Sequence, residues 1–190
     1  MIGVIQGDFG PSFRYPGRSV TEMIATGLPV TFELAFYAML VALFVGIISG
    51  VIAALKRNNY FDFIPMAFAM IGICVPTFLM GPLLVLIFGI TLEVLPVSGW
   101  GQLPGDKLLP SLTLGFAYAA YIARLSRGGM LEVLNQDFIR TARSKGLPEH
   151  KVVIKHAMQG GLIPVVAFMG PAIAGLLLSL IHISEPTRLH

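Results

Sequence analysis

From Phe63 to Leu92 the chain carries no charged side chain, and this is one of four apolar runs that dictate the architecture. In hydrocarbon every backbone N–H and C=O must find a partner within the protein, so only helices and closed barrels can cross a membrane. A crossing helix needs about 20 apolar residues. The runs fall at 29–55, 63–94, 108–127 and 160–178, and we read each as a span. The second is long enough to tilt, or to begin as an interfacial turn near Pro65. The third reaches full length if Arg124 and Arg127 snorkel toward the headgroups. The expected fold is all-α: a polytopic transmembrane helical bundle of about four spans. Composition agrees, because 12% of residues are charged and the mean hydropathy is +0.80, against about 25% charged in soluble domains.

The charges orient the bundle. Lys56 and Arg57 follow the first run, and Arg124, Arg127, Arg140, Arg143, Lys145, Lys151 and Lys155 follow the third. Arg14, Arg18 and Lys107 fall on the other side. Basic residues concentrate in cytoplasmic loops, so the loop at 128–159 is expected inside, with an arm at 1–28 and the 95–107 loop outside. Trp100 in that outer loop is expected to anchor at the membrane interface, with gating or contact with an external partner as the alternative. The opening MIGVIQGDFGPSFRYPGRSV has neither the charged nor the apolar region of a cleavable signal.

Several chemistries lack their residues. No charged or histidine side chain stands in the middle of a run, where proton relays, ion sites and intramembrane catalysis would put one. Ser49, Thr77, Ser111, Thr113 and Ser179 have no neighbouring base and are expected to hydrogen-bond within the bundle. No phosphate-binding loop of the GxxxxGK[ST] kind occurs, so ATP is not expected on this chain. His150 and His156 read as solvated helix residues rather than metal ligands, and Cys74 is the sole cysteine. Neither an enzyme, a cofactor, a metal nor a nucleic-acid partner is expected.

Two features do point to function. Pro76 and Pro82, with Gly81, interrupt the second run, and a break at mid-membrane depth suits either a pathway lining at Pro76, Thr77 and Phe78 or a kinked packing helix. The loop RTARSKGLPEHKVVIKHAMQGGLIP reads as helix, break, helix. Asp137 or Asn135 is positioned to cap a short helix through Phe138, Ile139 and Ala142, with Arg140, Arg143 and Lys145 on or near its polar side. Gly146 stands where a helix end favours a left-handed residue, and Pro148 with Glu149 suits the first turn of a second helix. Val152, Val153, Ala157 and Met158 form an apolar stripe, and Gly160, Gly161 and Pro164 mark the bend into the last run. Two short amphipathic helices meeting at a glycine are expected to dock a soluble partner. Gly46 and Gly50 form a GxxxG, a weaker sign of close helix packing.

RTARSKG followed by LPEHKVVIKHAMQGGLIPVV resembles the EAA loop of ABC-importer permeases, in the form used by the peptide/nickel branch and most of all by oligopeptide importers. GDFGPSF, GVIAALKRNNYFD and IARLSRGGMLEVLNQDFIRTA agree in order and spacing, so the resemblance covers roughly residues 7–178. It implies a multi-pass subunit of the bacterial cytoplasmic membrane that moves peptide by alternating access. Arg140, Thr141, Ala142, Arg143, Lys145, Gly146, Leu147 and Pro148 would then dock cytoplasmic ATP-binding subunits. A second permease subunit, an external solute-binding protein and the lipid bilayer complete the implied partners.

The resemblance leaves dipeptide or nickel as alternative cargo, and a non-transporting remnant or scaffold as an alternative role. Gln159 and Gly160 depart from the Arg-Asn common in this branch. The family's first span is expected before residue 1. Its last span is expected after Leu178, where this chain reads SLIHISEPTRLH, so 179–190 is expected to be a non-native tail without helical periodicity.

Overall fold

The structure, a computed structural model, describes residues 10–12, 17, 19–97, 99–100 and 103–184, with side chains as far as Leu177. Arg14, Arg18 and residues 185–190 lie outside the described residues. Helix α1 spans Val20–Leu55, α2 Tyr60–Cys74, α3 Thr77–Thr91, α4 Leu108–Leu134, α5 Asp137–Ser144, α6 Glu149–Gly161 and α7 Ile163–Ser184. α1 and α4 are each long and apolar enough to cross a membrane alone, and α2 with α3 and α6 with α7 qualify as bent pairs.

Small residues explain the core. Within a bilayer, lipid is as apolar as leucine, so helices associate through close van der Waals packing rather than exclusion of water. Ala35, Ala38, Ala42, Gly46, Gly50 and Ala53 recur along one face of α1 at helical spacing and are all buried. They meet Gly115, Ala119, Ile122, Ala123 and Ser126 of α4. A Cβ on Gly46 would stand 2.7 Å from Ile122, and one on Gly50 would stand 2.4 Å from the Ala123 carbonyl oxygen. The GxxxG is therefore a seam where only glycine fits. α7 closes this core through Val165, Ala172 and Leu176. The opposite face of α1 leaves Phe32, Phe36, Leu40 and Phe44 exposed at four-residue intervals, a stripe larger than water-soluble surfaces tolerate and suited to lipid.

The structure departs from the sequence reading in five places. α1 starts at Val20, so 20–28 is helical rather than part of an arm, and Pro29 lies inside the helix. The second run is not one straight span: α2 and α3 meet at a 112° bend. Pro65 is in the helix interior, not at an interfacial turn. α4 runs on to Leu134, which places Arg124 and Arg127 within it. α7 continues through Ser184, six residues beyond the expected end of the last run.

Ion pairs bracket the bundle. Lys107 donates to the Glu33 carboxylate at one end and sits 5.5 Å from the centre of the Trp100 ring. At the other end Arg127 grips Asp62. The rise from Lys107 to Arg127 along a helix is about 30 Å, which equals the hydrocarbon thickness of a typical bilayer, about 30 Å.

Candidate docking site

α4 ends where Asn135 turns its side chain back, donating from Nδ2 to the Leu131 carbonyl at 2.7 Å. Neither Asn135 nor Asp137 caps α5 as expected. Gln136 occupies that position in extended conformation, and its backbone carbonyl accepts from the amides of Ile139 at 3.1 Å and Arg140 at 3.4 Å. Asp137 becomes the first helical residue, where its charge complements the positive end of the helix.

The apolar side of α5 turns inward. Ile139 and Ala142 are buried with Ala54, Met130, Val133, Val152, Val153 and Ala157, a cluster that draws on α1, α4 and α6. α6 contributes through a π-helical stretch, Val152–Ala157. Its i→i+5 bonding brings Val152 and Ala157 onto one face, and both are fully buried. The stripe expected on α6 thus seats the element on its own bundle, with Met158 packed against the cluster's edge. Backbones meet directly at the base of the seat, where a Cβ on Gly129 would lie 2.2 Å from the Gly161 carbonyl oxygen. Gly160 and Gly161 serve this approach; the 50° bend into α7 follows at Leu162.

The turn between α5 and α6 is closed by hydrogen bonds. Gly146 has φ +75°, its amide donates to the Arg143 carbonyl at 2.9 Å, and the Leu147 amide donates to the Ala142 carbonyl at 3.4 Å. This pair of bonds satisfies the last carbonyls of α5 and requires a left-handed residue, which glycine adopts without steric cost. Pro148 is the cap of α6, its carbonyl accepting from Lys151 at 2.9 Å. Arg143 then clamps the turn, donating from Nε and Nη2 to the two carboxylate oxygens of Glu149 at 3.1 and 2.7 Å. These bonds hold Glu149 below its ordinary pKa and Arg143 above its own, chiefly through the hydrogen bonds themselves.

Arg140, Thr141, Arg143, Lys145, Gly146, Leu147 and Pro148 all lie exposed on this turn. Ala142 does not: it is 7% exposed and packs into the seat. A Cβ on Gly146 would meet nothing within 4 Å, so the tip faces open space. The clamp residue Glu149 was read from the sequence only as a favourable helix-start charge. Its role follows from a six-residue separation that the Gly146 turn folds back on itself.

At the other candidate site, Pro76 caps α3, its carbonyl accepting from Leu79 at 3.0 Å and Met80 at 3.1 Å. Pro76 and Phe78 are exposed, Phe78 by 79%, and Thr77 is half-buried. They sit together at the 112° break. The sequence reading missed Asp62, which is 2% exposed and accepts from Arg127 Nε at 2.5 Å and Nη2 at 2.8 Å. Arg127 therefore grips a carboxylate rather than snorkelling. The available signal was a lone acid at the edge of a charge-free run. Among the described residues, no three His, Cys, Asp or Glu side chains gather as a metal site would need.

The comparisons with known proteins fall on the same segments. The chain is 47% identical over 172 residues to the oligopeptide transport system permease protein OppB of Salmonella typhimurium, covering 90% of this chain and 56% of that one. It is 44% identical over 173 residues to OppB of Haemophilus influenzae, with the same shares covered. It is 42% identical over 174 residues to the dipeptide transport system permease protein DppB of Bacillus subtilis, covering 92% of this chain and 56% of that one. The chain thus spans about 56% of the length of these curated relatives. A family description matches residues 46–185, which include Gly46 and Gly50 of the α1–α4 seam, the Asp62–Arg127 pair and the whole α5–α6 element. The chain belongs to the family of binding-protein-dependent transport system inner membrane components.

Proposed function

We propose that this chain acts as a membrane permease subunit of an ATP-driven importer, moving oligopeptides across the bacterial cytoplasmic membrane by alternating access. ATP hydrolysis belongs to separate cytoplasmic subunits that dock on α5–α6; a second permease subunit shares the pathway, and an external solute-binding protein delivers the peptide. The observation that carries this reading is the polar tip at Arg140–Pro148, exposed and clamped, on an element whose apolar side is packed into the bundle. A tip seated in this way passes a push into α1 and α4 as a rigid body, which a two-state switch requires. Pro76, Thr77 and Phe78, at the helix break, are proposed to line the pathway. The 42% identity to a dipeptide permease keeps dipeptides as the second cargo.

The test is reconstitution in vesicles with the ATP-binding subunits, a second permease and a binding protein, measuring labelled peptide uptake and ATP hydrolysis together. Gly146→Asp, which places a charged side chain at a left-handed position on the tip, is expected to insert normally and to abolish peptide-stimulated hydrolysis. Undiminished stimulation with that variant would remove the tip from the docking surface.

A further inference from the structure

We propose that Asp62 and Arg127 form a positioning latch that ties α2, and with it the Pro76 break, to the helix turn on which the docking element sits. This rests on the docking reading above.

Few residues of α2 are buried. Its only buried residues are Asp62, Ala69 and Gly72. Beyond Asp62 the seam is made of small contacts, Ala69 against Ala120 and Ala123 with Met66 and Ile73 at its edge, and Gly72 against Phe116 and Ala120. It is interrupted by a cavity of about 90 Å³ whose walls include Ser49, Pro65, Phe68 and Phe116. Such a seam rests on van der Waals packing alone, and the cavity removes part of that packing. Asp62 is the opposite. Its carboxylate takes two bonds from Arg127 and a third from the Asn58 amide at 3.1 Å. Taking away Arg127 leaves the buried Asp62 carboxylate without its compensating charge.

The position of Arg127 gives the pair its direction. Gly129 and Met130 follow within one turn, and those residues meet the Gly161 backbone at the base of the docking seat. On the same turn a Cβ at Gly50 would stand 3.1 Å from the Arg127 amide nitrogen, so α1 crosses there too. A displacement of α5–α6 pressed onto this turn reaches α2 through one bidentate grip. Tied to α4 by an ion pair at Asp62 and by uncharged contacts beyond it, α2 carries the displacement toward its far end, about 18 Å up the helix, where Cys74 precedes the Val75–Pro76 break.

Cys74 is the sole cysteine and is exposed, so its alkylation rate reports that end. The measurement uses the permease complex carrying its ATP-binding subunits, with a maleimide probe applied with and without vanadate-trapped nucleotide. In the unsubstituted complex trapping is expected to change the Cys74 rate. In Asp62→Asn and Arg127→Gln the change is lost while the ATP-binding subunits still bind and hydrolyse ATP. The exchanged pair, Asp62→Arg with Arg127→Asp, restores it, and Arg127→Lys, which keeps the charge without the two-point grip, shows a reduced change. A nucleotide response in Asp62→Asn equal to the unsubstituted one overturns the latch. So does the absence of any response in the unsubstituted complex, an exchanged pair that does not recover it, or an undiminished response in Arg127→Lys. Failure of the ATP-binding subunits to bind at all instead overturns the docking reading, and the latch with it.

Discussion

Two adjacent glycines on α4 carry opposite expectations. A Cβ on Gly129 would lie 2.2 Å from the Gly161 carbonyl oxygen, 3.1 Å from its carbon and 3.3 Å from Pro164 Cγ, while a Cβ on Gly128 would meet nothing within 4 Å. Both are interior to one helix, so replacing either with alanine gains the same intrinsic helix preference, about 0.5–1 kcal/mol. The difference between Gly129→Ala and Gly128→Ala then isolates the steric term. To restore ordinary contact at 3.4 Å the Gly161 carbonyl must retreat by about 1.2 Å, and because the obstacle is backbone no rotamer relieves it. Overpacking costs about 1–3 kcal/mol, and the upper part of that range is expected here. At about 2–4 °C per kcal/mol for a chain of this size, the upper part, about 2–3 kcal/mol, means that Gly129→Ala should melt roughly 4–12 °C below Gly128→Ala in the same detergent. Amide exchange should rise at the same time in α5 and α6, since the retreat unseats them from Met130 and Val133. Equal melting temperatures and equal exchange for the two variants would refute the backbone contact on which the seat is built.

Met130→Ala should cost about 2–5 kcal/mol, because Met130 is fully buried and underlies both α5 and α6; denaturant titration followed by near-ultraviolet dichroism checks this, and a loss below 1 kcal/mol would place Met130 outside the seat. The Arg143–Glu149 clamp should weaken with acid. Glu149's folded pKa lies below its ordinary value, so its contribution is fully present above the ordinary glutamate range near about 4.3 and is lost as pH falls through the depressed folded value. At this exposure the clamp contributes no more than about 1 kcal/mol, so the readout should be local: the Gly146 amide resonance is expected to shift below that pH, and not to shift in Glu149→Gln.

Much of this was legible in the sequence, for identifiable reasons. The four apolar runs are one-dimensional signals, and so is Gly146, because a helix end needing positive φ shows itself as a glycine between two periodic segments. The identity of the breaking proline was not. Pro65, Pro76 and Pro82 all stand in one run, but Pro65 and Pro82 lie inside helices while the extended Val75 (φ −82°, ψ 120°) sets the bend at Pro76. Prolines constrain their predecessors, yet which predecessor yields depends on what the next segment packs against. The Asp62–Arg127 pair was hidden for a plainer reason: the partners are 65 residues apart and meet only once α2 lies along α4. Ala142 shows two kinds of inference in conflict. The residue pattern put it in an amphipathic helix apart from the basic residues of the polar side, whereas the resemblance put it in the docking loop, and its burial fits the amphipathic pattern.

The proposal that a cytoplasmic ATP-binding subunit docks at the Arg140–Pro148 tip can be tested by crosslinking. In a Cys74→Ser background, a photoactivatable crosslinker carried on Leu147→Cys tests it directly, with Val94→Cys as an exposed apolar control at the opposite end of the bundle. A nucleotide-sensitive adduct with the ATP-binding subunit is expected from Leu147 and none from Val94. No adduct from Leu147, or an equal yield from both positions, would contradict the proposal.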